Sequence, residues 1–300
     1  MIEHTTLLTS SSPQLLIANL KEYSQNGKLS DLQAVLSFSK HKNSGVKAAA
    51  VNAACSIIKE NLITYYHDLA QEVRSKLGIL LETLDPDIVD EISKDLYSEL
   101  DERRLRTVQI VGLLKKNPRI RDVLTRLVSD RDVKIRATAV NLLGRIIGPN
   151  DQQLLLSLLN DADKRVRANT IEALESLGNK RTIPILLRFR KDSNNRIRGN
   201  IIKALYNLGY DDIEQDILDM LAHTSDFMKA SALWVITQTK FSSTKIEDAA
   251  GLVFMSDNEM VFRNAKNALS AIGSPRARGY ITYLGDLPHI REYESASSSD

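Results

Sequence analysis

The chain has 300 residues, of which 43% are hydrophobic and 5% aromatic, with a formal net charge of +2. That is enough apolar material for a continuous core packed mainly by Leu, Ile, Val and Ala, and 13 Gly with 7 Pro leave long stretches free to be helical. No run approaches 18 consecutive apolar residues, so no membrane span is expected, and the single Cys55 excludes an intramolecular disulfide and fits a reducing, cytoplasmic setting.

Residues 1–12 show no basic stretch followed by an apolar run, so no secretory leader is expected; they read as a flexible N-terminus. From residue 13 to 285 one pattern recurs eight times, each copy centred on an apolar residue followed by a base. The pairs are Val46-Lys47, Val73-Arg74, Leu105-Arg106, Ile135-Arg136, Val166-Arg167, Ile197-Arg198, Met228-Lys229 and Phe262-Arg263. Their bases are 27 to 34 residues apart, with three consecutive spacings of 31. A fixed period of this length marks a stacked array, since one unit cannot bury its apolar face alone. Residues 286–300 read as a disordered, Ser-rich acidic tail.

The central copies show how a unit is built. Counted from the base, apolar residues fall at +4, +6, +7 and +10, one stripe of a 3.6-residue helix. Gly178 and Gly209 stand where the helix ends and a left-handed residue is wanted. A shorter apolar helix precedes each base, such as 183–189, with Pro184 in its first turn. Each unit is therefore a helical hairpin: helix A, a tight turn, helix B, a looser turn. Asp68, Asp130, Asp161, Asp192 and Asp257 lie six residues before the base, where a carboxylate accepts free backbone N–H groups. Leu100 and His223 replace it in the third and seventh units, and the last unit is offset, with Gly273 ten residues after Arg263 rather than eleven.

The pattern Leu-Leu-x-Asp-x-x-x-x-Val-Arg-x-x-Ala-x-x-Ala-Leu-x-x-Leu-Gly, clearest from Asp130 to Gly209, resembles HEAT repeats of the short bacterial, phycobilisome-lyase-like type. The resemblance implies an all-α, right-handed α–α superhelix, a HEAT-type solenoid of about eight hairpins, with A helices on the convex side and B helices lining a concave groove. It implies little about activity, because one fold hosts many functions.

Charge is uneven: net −6 over residues 1–102, +14 over 103–203 and −6 over 204–300. The motif bases Arg106, Arg136, Arg167 and Arg198 belong to the repeat. Two residues earlier stand Arg104, Lys134, Arg165 and Arg196, bases the repeat does not require, and these predict a stripe for an anionic partner. Arg119, Arg121, Arg126, Lys180, Arg181, Arg188, Arg190 and Lys191 add to it from helix A and its flanks. Groove positions +2, +5 and +9 hold Thr138, Asn141, Arg145, Asn169, Glu172, Ser176, Asn200, Lys203, Ser231 and Trp234. Of these, Asn141, Arg145, Asn169, Glu172, Asn200, Lys203 and Trp234 are the candidate contacts; Trp234 is read as core filler or as an exposed anchor.

No catalytic constellation emerges. His4, His41, His67, His223 and His289 are scattered, no zinc spacing occurs, and there is no phosphate loop or nucleophile elbow. No His-Glu dipeptide matches the di-iron sites of deoxyhypusine hydroxylase-like arrays, and Trp234 alone is too little for an alkylbase-glycosylase-like groove. The expectation is a non-catalytic scaffold, without cofactor or metal, that binds an acidic protein surface. A phosphate-tracking nucleic-acid binder is the first alternative, and a lyase-like or accessory subunit of an enzyme complex the second. Self-association through the acidic ends and basic middle stays open.

Overall fold

A computed structural model describes residues 12–114, 119–146, 148 and 152–285; the N-terminus up to residue 11 and the Ser-rich tail lie outside the described residues. Among the described residues every regular element is helical. The chain forms two compact units, 1–143 and 144–300. Within each, successive hairpins stack in the packing of an α–α superhelix.

The first unit holds α1 (Pro13–Asn26), α2 (Leu32–Ser37), α3 (Ser44–Tyr65), α4 (Gln71–Leu84), α5 (Ile88–Ser93), α6 (Asp101–Val111), α7 (Arg119–Leu127) and α8 (Val133–Leu143). α1 and α2 pack on α3. Leu16, Leu20 and Tyr23 meet Ala50, Ala53 and Ala54, whose small side chains let the helices approach closely. α3 is 22 residues long because helix B of the first repeat runs straight into helix A of the second. From Val46 to Tyr66 there is no Gly or Pro to break it. Farther on, α6 lies beside α8, and α7 pairs with α8.

The second unit is more regular, with hairpins α9 (Gln152–Leu158)/α10 (Lys164–Leu177), α11 (Ile183–Leu186)/α12 (Asn195–Asn207), α13 (Glu214–Leu221)/α14 (Asp226–Thr239) and α15 (Thr244–Phe254)/α16 (Glu259–Ile272). The B helices α10, α12, α14 and α16 pack side by side, and α17 (Pro275–Gly285) closes the row against α15 and α16.

The expected turn chemistry is present. Asp130, Asp161 and Asp192 each accept, at 2.8 Å, the backbone N–H two residues on. Four residues before the motif base, Asn43, Asp132, Asp163 and Asn194 cap helix B. Arg136 and Arg167 reach back to the carbonyls of Asp130 and Asp161 at 2.9 and 2.8 Å, tying the hairpin shut. Gly178 and Gly209 are left-handed, with φ of 65° and 92°. Lys240 occupies the same position after α14 with φ 54°, a conformation a side chain adopts at a cost.

Two units are registered differently from the sequence reading. In the third, Arg104, not Arg106, is the motif base. It is 4% exposed and donates to the Ser98 carbonyl six residues back, as Arg136 and Arg167 do. Val108, Ile110, Val111 and Leu114 at +4, +6, +7 and +10 are all buried. In the eighth, Phe262 takes the base position: Asn258 caps the helix four residues before it and Gly273 lies eleven after. Its ring stacks on Phe254 at 4.7 Å, and Arg263 is exposed and pairs with Glu259.

Candidate partner-binding face

The third-unit register removes Arg104 from the proposed basic stripe. Its guanidinium lies 2.8 Å from the Asp101 carboxylate and 3.7 Å from that of Asp130, within the first unit. The residue two before it is Glu102, an exposed acid. The sequence offered two bases, and only burial says which one the core takes. Lys134 is exposed at the start of α8; Asn141 is exposed on α8 and Arg145 just beyond it.

The second unit brings the remaining candidates onto one continuous face of α10, α12 and α14. Arg165 is exposed beside its own cap, 3.1 Å from Asp163, and this contact holds the Asp163 carboxyl below its ordinary range. Arg196 lies 3.7 Å from Glu172 on the preceding helix. The stripe positions of the second unit are thus occupied by bases that already have carboxylates beside them, each pair contributing ~0–1 kcal/mol at such exposure.

Asn200, placed in the groove by the sequence, is 3% exposed. It bonds Glu172 Oε1 at 2.9 Å and reaches the Ala168 carbonyl at 3.5 Å. It is a strut between α10 and α12 because the helices approach closely enough to enclose the +2 position. Asn169 is half-buried on α10. Lys203 lies 2.9 Å from Glu175, and its ammonium sits 5.4 Å from the centroid of the Trp234 ring. Trp234 is half-buried between buried Leu233 and Val235, so it is neither core filler nor a free anchor. Its ring takes a cation, worth ~0.5–1 kcal/mol when exposed.

Sequence reasoning missed Phe227, which is 66% exposed. It occupies the position of Arg165 and Arg196 in the next helix, and its carbonyl accepts from Asn195 of α12 at 3.2 Å. Asn195 also bonds Ser231 at 2.8 Å, which fixes α12 against α14 beneath the ring. Phe227, Ser231 and Trp234 follow one another at i, i+4 and i+7 along one stripe of α14. The available signal was an aromatic at a register position that is polar in the preceding units.

Among the described residues, no group of three or more His, Cys, Asp or Glu is arranged to hold a metal ion, and no helix is long and apolar enough to cross a membrane. Cys55 is buried, and burial pushes its thiol up to about 12, far from a reactive thiolate.

A family model described as HEAT repeats matches residues 89–167 and 152–237. No curated protein sequence matches the chain. Among solved structures, Escherichia coli YibA is 17% identical, with 80% of this chain and 92% of that one covered and a TM-score of 0.43. Human deoxyhypusine hydroxylase is 15% identical, with coverage of 73% and 97% and a TM-score of 0.38. Kap121p bound to Ste12p is 13% identical and has a TM-score of 0.52; 95% of this chain aligns, spanning 38% of Kap121p. At such identities the likeness is one of fold.

Proposed function

The chain is a HEAT-repeat protein, a helical repeat scaffold, and from that premise we propose that it acts without catalysis by binding a protein segment across α10, α12 and α14. The observation that carries this is the aromatic stripe of α14: Phe227, mostly exposed, with half-buried Trp234 two turns along. An exposed large aromatic above a rigidly hydrogen-bonded helix pair is the kind of anchor that dominates interface energy, and a stack already ordered loses little entropy on binding.

The partner supplies an apolar side chain to the Phe227–Trp234 stripe and a carboxylate to Arg196, displacing the loose Glu172 contact. Charge then sets orientation and association rate more than affinity. A phosphate backbone fits this face poorly, because Arg165, Arg196 and Lys203 lie beside Asp163, Glu172 and Glu175. By the same reading the protein works in a reducing, cytoplasmic setting.

The test is a nuclease-treated pull-down from native lysate comparing the wild type with a Phe227→Ala/Trp234→Ala variant of unchanged helicity. Loss in the variant of a discrete partner held by the wild type, retained at high salt, supports the assignment. Identical partner sets for both proteins refute it.

A further inference from the structure

The other side of the second unit has a different chemistry. Helix A of the sixth hairpin and its flanks, from Lys180 to Lys191, comprise a 3-10 turn, α11 and a second 3-10 turn. Its exposed residues are Lys180, Arg181, Pro184, Arg188 and Lys191: four bases and a proline. No acid occurs from Asn179 to Lys191. Arg190 turns inward and meets buried Asp216 at 3.9 Å; burial raises the Asp216 carboxyl, and Arg190, Arg198 and Lys191 oppose that rise. None of the four outer bases forms an ion pair among the described residues. Neighbouring α9 exposes only neutral Gln153 and Ser157; half-buried Asp192 follows Lys191 directly, and exposed acids enter at Asp211 and Asp212.

We infer that this helix face is a second binding surface, separate from the α10–α12–α14 face, and that its ligand is the phosphate backbone of duplex nucleic acid. Three properties select it. None of the four bases is in ion-pair contact with a carboxylate among the described residues, Lys191 acting on Asp216 only from farther off, whereas those on the B helices have carboxylates beside them. Arg181 and Arg188 are both exposed, one on either side of α11, and exposed Lys180 and Lys191 flank them in the chain. At ~1.5 Å per residue in α11 and ~2.0 Å in the 3-10 turns, residues 180–189 span roughly 16 Å, comparable with the ≈12 Å width of a major groove, so the two ends can engage phosphates of opposite strands. Finally, the face exposes no aromatic on which single-stranded bases would stack. It also carries no large apolar anchor for a protein partner. Phosphate tracking needs neither, and guanidinium groups suit phosphate oxygens. Binding here reads no base edges and is indifferent to sequence.

The experiment is a fluorescence-anisotropy titration of the full chain against a labelled 20-base-pair DNA duplex at 50 and 200 mM salt. Four phosphate contacts predict a slope of log K on log salt of about −3.6, an affinity loss of about 150-fold over that range. Arg181→Glu/Arg188→Glu, both at exposed positions, halves the slope to about −1.8, a loss of about 12-fold. Circular dichroism checks that the variant is folded, and Arg181→Gln/Arg188→Gln serves if it is not. The Phe227→Ala/Trp234→Ala variant binds the duplex as the wild type does, so failure here is distinguishable from failure of the B-helix assignment. No salt-dependent binding by the wild type overturns the inference, as does a double variant with an unchanged slope. Equal affinity for poly-glutamate of matching charge also overturns it, by showing that charge alone is read.

Discussion

Replacing Arg104 and Arg106 separately by alanine tests which of two neighbouring bases the third repeat has taken into its core. Arg104 is 4% exposed, donates to the Ser98 carbonyl at 3.2 Å and faces Asp101 and Asp130. Its truncation removes a charged hydrogen bond, worth ~1.5–3 kcal/mol. It also removes the packing of a buried stem, of order 1 kcal/mol. Because Asp101 is mostly exposed, its share of the ion pair is screened and adds little. The expected loss is about 3 kcal/mol. Arg106 is 12% exposed, but its partners are side chains only: exposed Glu102, Gln109 at 3.1 Å and His67, with the Tyr66 ring at 5.8 Å; no backbone carbonyl loses its donor, so its loss should cost about 1–2 kcal/mol. Urea unfolding followed at 222 nm resolves this difference, provided both variants keep the wild-type slope. Equal losses, or a greater loss for Arg106→Ala, would refute the assigned register. Reversal of Arg104 to Glu would crowd three carboxylates around a buried site, so loss of binding in such a variant would report unfolding.

Lys240→Gly should stabilise the chain by about 1 kcal/mol, because a side chain at φ 54° bears a left-handed penalty that glycine lacks; an unchanged denaturation midpoint would contradict this. Gly251→Ala should do the opposite despite its gain in helix propensity. The new Cβ would lie 2.6 Å from the Tyr280 ring, which cannot swing away while its hydroxyl donates to Asp248 at 2.7 Å, and the expected loss is about 1–3 kcal/mol. Asp216→Asn should change the pH dependence of stability. The folded-state carboxyl is raised by burial against the pull of Arg190, Arg198 and Lys191. The wild type therefore loses stability as pH rises from the ordinary carboxylate value, about 3.9, through the raised one, and Asn removes that decline. The thermal midpoint at pH 7 minus that at pH 4 should accordingly be more positive in the variant than in the wild type. In the partner pull-down, Phe227→Ala alone should weaken capture by about 2 kcal/mol, or roughly 30-fold; a change under twofold would remove Phe227 as the anchor.

The period of 31, the +4, +6, +7, +10 stripe, the Asx turns at Asp130, Asp161 and Asp192, and the left-handed Gly178 and Gly209 are local properties. Each depends on residues within one hairpin, so the sequence alone determined them. The uninterrupted helicity of α3 departs from the looser turn expected between hairpins, and its cause is local too: no Gly or Pro follows Val46 before Tyr66. What the tertiary structure decided are choices among residues that are locally equivalent. Arg104 and Arg106 both follow the motif's demand for a base, and only the neighbouring turn at Ser98 and the carboxylate of Asp130 select the first. Asn200 has the spacing of a groove residue, but α10 stands close enough to enclose it. Arg165 and Arg196 read as free bases until Asp163 and Glu172 are seen beside them. Phe227 and Arg188 gain their meaning the same way, since exposure is set by what packs next to a residue and not by the residue itself.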